Sequence, residues 1–458
     1  MIVMKFGGSS VDTAEAIARV EEIIRGRLDR RPVVVVSAMA KTTRDLLESA
    51  EAAAAGDRDV ALARFDRIEA YHRREAYAVV PPSGRPALDA MLDPWFNELH
   101  TRFDELAVTR TLTPRAADAV AGYGELLASA ILSFALSHAG IESSWVDCRR
   151  VMMTDDDFTR ARPLYGPTEA RLRSSLRPLL RQGAVPVVGG YVGATLQGVT
   201  TTLGKEGSDF SAAIVGAALG ADEIQIWTDV DGMRTADPRL YPGAKRVRTL
   251  SFAEALELSC SGAKKPHYGT LGPASRANVP IRIQDSRNPE AEGTVIGRRN
   301  PEAPPVVKSI ACRSNAHLIS IRGTQPQAGD GLLGSLSEVF ERFRPSLLVV
   351  NSQGELALDR EDRLSEVHAA LLTAVGQSAE MWIHRGRCVV SLVSEDLATC
   401  PELVERALAA GRDFEPRLVL AGVAAPAIRL LADEEQLPEL VAALHAELLP
   451  GGIDEVVE

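Results

Sequence analysis

Short apolar runs alternate with longer amphipathic ones over the first two thirds of the chain. Ile2-Val3-Met4-Lys5-Phe6 reads as a buried strand interrupted by one charge. Gly7-Gly8-Ser9-Ser10 follows, then a helical face carrying Ile17, Val20, Ile24 and Leu28. Val33-Val34-Val35-Val36 is a second buried strand, rich in β-branched residues, and it runs into the polar turn Ser37 to Thr43. Residues 44 to about 140 read as mostly helical, with a break at Pro81-Pro82-Ser83-Gly84. Strands return at Trp145-Val146-Asp147, Val185-Pro186-Val187-Val188, Glu223 to Trp227 and Val279 to Ile283. Strands alternating with helices predict an α/β sandwich with a largely parallel central sheet. Ligands bind beyond the carboxyl ends of such strands, and polar and glycine residues gather just after residues 2–6, 33–36, 185–188 and 224–227.

The rhythm changes after the proline-rich stretch Asn300-Pro301-Glu302-Ala303-Pro304-Pro305. Residues 316–321 read as strand, 330–343 as helix, 346–350 and 354–358 as strands, 363–375 as helix and 380–384 as strand. The order then restarts: strand 387–392, helix 400–411, strands 417–420 and 426–431, helix 434–448. These are two α+β units of βαββαβ type in tandem. The second lacks a clear last strand, which Val306 to Ala311 can supply. The expected division is therefore 1–300 and 306–458, with a first unit at about 316–384 and a second at about 387–458 plus 306–312.

Composition narrows the function classes. A hydrophobic share of 45% with 25% charged residues is that of a soluble globular protein. A net charge of −11 argues against a general nucleic-acid or membrane-surface binder but leaves room for a local cationic site. Five scattered cysteines, not in metal-ligand spacing, point to reduced thiols and a cytoplasmic protein. Lys5 and Gly7-Gly8 interrupt the first apolar run, so no signal peptide is expected, and no apolar stretch reads as long enough to span a bilayer.

The candidate chemistry centres on Thr200 to Ala213. Hydroxyls, then glycines, then Ser208-Asp209 open an Ala-rich helix that Ser208 or Asp209 would cap. A helix start behind a glycine loop attracts anions, phosphate above all, and Thr200 to Thr202 and Lys205 would add donors and charge. Lys5, near the end of a buried strand, must either find a counter-charge or a phosphate, or snorkel to the surface. Glu125, behind Gly122-Tyr123-Gly124, is either a first-turn glutamate favoured by the helix dipole or a carboxylate for a substrate ammonium. No metal-ligand set is picked out.

Taken together, Lys5 to Ser10, Ser37 to Thr43, Gly124-Glu125, Thr200 to Asp209, Trp227 to Gly232, Thr235 to Arg239 and Gly262-Ala263-Lys264 resemble, in order and spacing, the aspartate kinases of the amino-acid kinase superfamily. The C-terminal third is similar in layout to that family's paired ACT domains, which usually bind an amino-acid effector. The resemblance implies transfer of the ATP γ-phosphoryl group to the β-carboxylate of aspartate, with Mg²⁺ bridging the phosphates and a homodimer or higher homo-oligomer. It implies Lys5 at the transferring group, the Gly7, Gly8 and Ser9 amides beside it, and Asp209 orienting Lys5. Glu125 would take the α-ammonium; Ser37, Thr43, Ser208 and Lys205 would meet the substrate carboxylates. Thr228, Asp229 and Asp237 would line the nucleotide pocket, and Arg239 and Lys264 would hold the outer phosphates.

Three departures qualify this expectation. Lys205 stands where the family usually has an arginine that grips a carboxylate, and lysine cannot make the same bidentate contact. Glu206 beside it adds negative charge near an anionic substrate, unless the two pair. Lys264-Lys265-Pro266-His267 alters the family's pattern with a proline. The alternatives are a same-fold kinase for another acidic amino acid or aspartate analogue, and a catalytically silent ligand-binding regulator. Kinases for glutamate, N-acetylglutamate or carbamate lack the long helical stretch and the tandem tail. Asn351-Ser352-Gln353-Gly354 keeps part of the family's effector loop, whereas Gly422 to Ala427 has lost its hydroxyls, which predicts weak or absent inhibition by lysine or threonine.

Overall fold

Six segments form parallel neighbours, and the central ones are buried on both faces, as parallel strands usually are. In a computed structural model, which describes residues 1–263, 266, 268–299, 305–323, 329–343, 347–350, 355–359, 364–376, 379–421 and 426–449, the strand Ile2–Phe6 lies between Val33–Val36 and Glu223–Thr228. Lys5 is in register with Val35 on one side and Ile226 on the other. Within the first unit, the order across this sheet is Ser143–Val146, Val185–Gly189, Val33–Val36, Ile2–Phe6, Glu223–Thr228, Ile281–Asp285, Thr294–Gly297, with only the last of these pairs antiparallel. Phe6 and Trp227, adjacent in register, stack with ring centroids 6.1 Å apart. The carboxyl ends of the parallel strands share one edge, and the turns after Phe6, Val36, Gly189 and Thr228 open there.

The chain packs as two units: Met1–Met233 with Pro266–Arg298, and Arg234–Lys265 with Arg299–Glu458. In the first, the long helical stretch resolves into Thr42–Ala55, Arg58–Val79, Arg85–Thr109, Pro114–Ala121 and Tyr123–His138. Contrary to expectation, Pro114–His138 is long and apolar enough by length and composition to cross a membrane; 89% of that window is buried inside the protein, as suits core helices. The sequence also hid a side sheet of Met153–Thr154, Val192–Thr195 and Thr200–Thr202. These strands are too short for alternation to betray them.

His72, wholly buried in Arg58–Val79, steadies the start of Thr42–Ala55. Its Nδ1 must carry a proton, since it faces the Ile68 carbonyl at 2.7 Å, and its Nε2 lies 3.4 Å from Thr42 Oγ1. Burial pushes its pKa down to about 4. A base held below its ordinary value stabilises the fold above about pH 6.5 and loses that contribution as pH falls towards about 4. We expect the wild-type melting temperature to drop between pH 7 and pH 5, and His72→Phe to lose less over the same interval. An equal loss in both would contradict this assignment.

In the second unit, two fifteen-residue strands, Ser309–Gly323 and Ala379–Val393, pair antiparallel along their length. Each fuses segments that read as two separate strands in the sequence. The sheet order is Leu347–Val350, Glu355–Leu358, Ser309–Gly323, Ala379–Val393, Ala427–Asp433, Leu418–Ala421. Residues 309–313 pair with 389–393, so the strand ahead of the first unit does extend beside the second. The linker 300–304, Asn351 to Gly354 and Gly422 to Ala425 lie outside the described residues.

Candidate active site

Lys5 is turned towards the helix Gly207–Leu219, and its Nζ meets Asp209 Oδ1 at 2.5 Å. Both side chains are almost fully buried, 5% and 1% exposed. Asp209 lies in the first turn of its helix, where the dipole favours an anion, and its oxygens accept no well-angled hydrogen bond besides this contact. Of the two readings of Lys5, counter-charge prevails over snorkelling. A Cβ at Gly7 would come within 3.7 Å of the Lys5 ammonium, so the backbone passes close beside it.

Lys5 also lines a cavity of about 550 Å³ in the first unit, while Asp209 lies behind it. Lys5, Gly8, Ser37, Thr43, Glu125, Lys205 and Ser208 all line it, although they come from distant parts of the sequence. Close main-chain approach brings them together. A Cβ at Gly190 would sit 2.7 Å from Ser208 Cβ, and one at Gly124 would sit 2.7 Å from Ala38 Cβ and 3.2 Å from Thr43 Oγ1. Any side chain at either position would force the walls apart.

Glu125 is buried in the first turn of Tyr123–His138, and its Oε2 has no hydrogen-bond partner. Burial raises its pKa to about 8, against the opposing pull of the Ala38 backbone and the Lys5 charge. A buried carboxyl with one oxygen unpaired gains its charge partner when a cationic ligand arrives and ionises beside it. Cations share its cavity. Lys5, Lys41, Arg44 and Lys205 line the cavity, and Lys41 and Lys205 are exposed without an ion-pair partner among the described residues. No pair joins Lys205 to Glu206 among the described residues, so both are available to a ligand.

Backbone strain concentrates here. Ala40, Thr159, Tyr191 and Glu206, all lining the cavity, have φ of 48°, 72°, 61° and 56°. Such left-handed residues cost roughly 1 kcal/mol or more each unless the surroundings impose them. Glu206 occupies the N-cap position of Gly207–Leu219 with no side-chain cap bond, so neither Ser208 nor Asp209 caps that helix.

Thr200 to Thr202 form a strand and do not supply donors as expected. Thr202 Oγ1 donates to Asp118 Oδ1 at 2.6 Å, and Thr201 Oγ1 bonds Thr154 Oγ1 at 2.7 Å; both threonines are fully buried. Asp118 also accepts from the N–H groups of Thr202 and Thr159, tying Thr159, which lines the cavity, to the strand Thr200–Thr202. Sequence reasoning missed Asp118, whose only signal is one acid in an Ala-Val-rich helix. It also gave no role to Lys41 and Arg44, the basic pair flanking Thr42-Thr43. Thr159 and Tyr191 left no sequence signal.

The nucleotide-side residues are less gathered. Ser9 lies on the single turn Gly8–Ser10. Thr228 ends the strand beside Lys5, buried, with its hydroxyl donating to Asp229 Oδ1 at 3.1 Å. In the second unit Arg239 forks onto Asp237, with Nη2 to Oδ2 at 2.5 Å and Nε to Oδ1 at 3.0 Å, so these two form one element. Lys264 lies outside the described residues.

Comparison with known proteins follows the same outline. The model of the amino acid kinase family matches residues 1–285. The chain is 32% identical to aspartokinase 2, chloroplastic, of Arabidopsis thaliana, over 97% of its own length and 83% of that protein's. It is 30% identical to lysine-sensitive aspartokinase 3 of Escherichia coli (strain K12), over 98% and 99% respectively. The E. coli aspartokinase III structure in complex with aspartate and ADP, in the R-state, matches with a TM-score of 0.82 at 28% identity, over 98% of this chain and 99% of that one. The same enzyme with lysine and aspartate, in the T-state, also gives 0.82. The chain belongs to the amino acid kinase family and, within it, to the aspartokinases.

Proposed function

We propose that this cavity is where the γ-phosphoryl group of ATP passes to the β-carboxylate of L-aspartate, giving 4-phospho-L-aspartate and ADP. The observation that carries the reading is the buried Lys5–Asp209 pair, whose lysine lines the same cavity as Glu125. Support comes from a relative similar over nearly its whole length, whose structure holds aspartate and ADP.

The attacking carboxylate is ionised at neutral pH and needs no general base. The barrier lies in bringing two anions together and in the charge on the transferring group, so positioning and electrostatic stabilisation carry the catalysis. Lys5 supplies fixed positive charge at the transferring oxygens, and Asp209 holds that ammonium in place. The Gly8 and Ser9 amides are read as contacts for the phosphates; the Gly7 N–H, expected to join them, instead donates to the Trp227 carbonyl at 3.1 Å. Glu125 receives the α-ammonium; Ser37, Thr43 and Ser208 donate to the carboxylates, and Lys205 adds charge to one of them. Thr228, Asp229, Asp237, Arg239 and Lys264 serve the nucleotide.

Among the described residues no group of three or more His, Cys, Asp or Glu is placed to hold an ion. Mg²⁺ carried in on the phosphates needs few protein ligands, and one or two carboxylates would serve it. Bound so, it would neutralise phosphate charge.

A homodimer or higher homo-oligomer belongs to the same reading, supported by exposed Val419 and Leu408 on the second unit. A reducing, cytoplasmic setting is supported by five unpaired cysteines. An amino-acid effector would bind in the second unit, with weak or no response to lysine or threonine; sub-millimolar inhibition by either would overturn that part.

Lys205 and Glu206 keep a second acceptor in view, another acidic amino acid or an aspartate analogue. A coupled ADP-release assay across aspartate, glutamate and close analogues decides between them: highest kcat/KM with aspartate supports the proposal, and a strong preference for another acid replaces it. Absence of turnover with every acid would favour a silent regulator. Lys205→Arg/Glu206→Gly should lower the aspartate KM about three- to tenfold by restoring a bidentate grip and releasing left-handed strain. A raised KM in that variant would show that Lys205 and Glu206 are matched to a different acceptor.

A further inference from the structure

Asp118 sits in the helix Pro114–Ala121, 1% exposed, and lines no part of the cavity. A buried carboxylate is costly unless its oxygens are satisfied, and here two separate segments satisfy them. Oδ1 accepts the Thr202 hydroxyl at 2.6 Å; Oδ2 accepts the Thr202 N–H at 3.0 Å and the Thr159 N–H at 2.8 Å. Both donors lead straight into the cavity wall. Thr159 lines it with φ of 72°, and so does Gly204, two residues after Thr202 and next to Lys205. The two segments are in contact, since a Cβ at Gly204 would sit 3.4 Å from the Thr159 carbonyl oxygen. The Ala161 N–H donates to the Thr202 carbonyl at 2.8 Å, and the Leu203 N–H to the Tyr191 carbonyl at 2.9 Å. Residues 204–208 therefore start from a fixed point.

The helix that carries Asp118 also leads to Glu125. Gly122 closes Pro114–Ala121 and opens Tyr123–His138, whose first turn holds Glu125. A Cβ at Gly122 would meet Thr200 Cγ2 at 3.2 Å and Val192 Cγ1 at 3.3 Å, so this junction packs directly on the strands Val192–Thr195 and Thr200–Thr202. The Asp118 bonds thus link the wall that carries Glu125 to the wall that carries Lys205 and Ser208. We propose that Asp118 is a positioning residue for the acidic substrate: its three hydrogen bonds fix the span between Glu125 and residues 204–208, and that span selects the length of the acid. An amino dicarboxylate one methylene longer reaches the same groups only if the walls move apart. The inference rests on the reading of Glu125 as the ammonium site and of Lys205 and Ser208 as carboxylate contacts.

The test uses full-length enzyme and reads the KM values for aspartate, glutamate and ATP, with kcat and the melting temperature. Asp118→Ala removes all three bonds; Thr202→Val removes only the hydroxyl bond, with little change of shape. Each should raise the aspartate KM about fivefold or more and leave the ATP KM within about twofold. Each should also shrink the wild-type preference between the two acids, in kcat/KM, about fivefold or more. The double variant should cost little beyond Asp118→Ala. Asp118→Asn can still accept both N–H groups at its oxygen and donate to Thr202 Oγ1, so it should recover most of the preference. An unchanged aspartate KM and preference in Thr202→Val overturns the proposal, and that variant decides if Asp118→Ala fails to fold. A lower melting temperature with the aspartate and ATP KM values rising together, or with neither rising, marks a merely structural role and also overturns it. Glu125→Gln separates the two claims. An unchanged aspartate KM there sinks the reading of the cavity and this inference with it; a raised one beside unaffected Asp118 and Thr202 variants sinks this inference alone.

Discussion

Lys5→Met is expected to lower kcat by about a thousandfold or more, and Asp209→Asn by about a hundredfold or more, since each removes preorganised charge at the transferring group. Stability should separate from activity in the same series. Each single variant leaves a buried ion without its partner, which costs about 3–5 kcal/mol. The double variant Lys5→Met/Asp209→Asn leaves none and should recover most of the lost melting temperature while remaining inactive. The prediction follows from the 2.5 Å contact between two side chains exposed by only 5% and 1%. Unchanged kcat in Lys5→Met, measured by coupled ADP release, would remove Lys5 from the chemistry. Singles as stable as wild type would show that the pair is not buried in solution.

Glu125→Gln carries the second large effect. With its carboxyl raised to about 8 by burial, the free enzyme holds Glu125 uncharged at neutral pH. A substrate ammonium needs the ionised form, so kcat/KM for aspartate should rise with pH towards about 8 and level off. Glu125→Gln should raise the aspartate KM by about a hundredfold, because the ammonium loses its buried charge partner, and should abolish that rise with pH. Stability moves the other way. An acid whose folded pKa is raised stabilises the fold fully below its ordinary value near 4.5 and loses that contribution as pH climbs through about 8. The ligand-free glutamine variant should therefore equal wild type near pH 5 and exceed it by about 1–3 kcal/mol above pH 8. A wild-type pH profile flat in this range, or a variant less stable at high pH, would contradict the assignment.

The parallel strands were legible because burial on both faces leaves uninterrupted apolar runs, as at Val33 to Val36, and the long helices because their apolar spacing persists over several turns. Lys5 and Glu125 stood out as charges in apolar surroundings, and the cavity brings both together with Ser37, Thr43, Lys205 and Ser208. Thr200 to Thr202 misled for a physical reason. A run of hydroxyls before a helix looks like a set of donors, but their partners are Asp118 and Thr154, and no local pattern announces a contact between residues 84 or 47 apart. Asp118, Thr159 and Tyr191 were hidden the same way, since their roles arise from strands too short to show alternation. The two fifteen-residue strands of the second unit read as four because polar residues near 313–317 and 384–387 interrupt the apolar pattern where the register shifts.

The most direct test of the account is acyl-phosphate trapping with hydroxylamine during turnover of ATP and L-aspartate. Wild-type enzyme should yield aspartyl hydroxamate in step with ADP, one for one, and Lys5→Met should yield almost none of either. ADP released without hydroxamate, or hydroxamate formed by Lys5→Met at the wild-type rate, would contradict it.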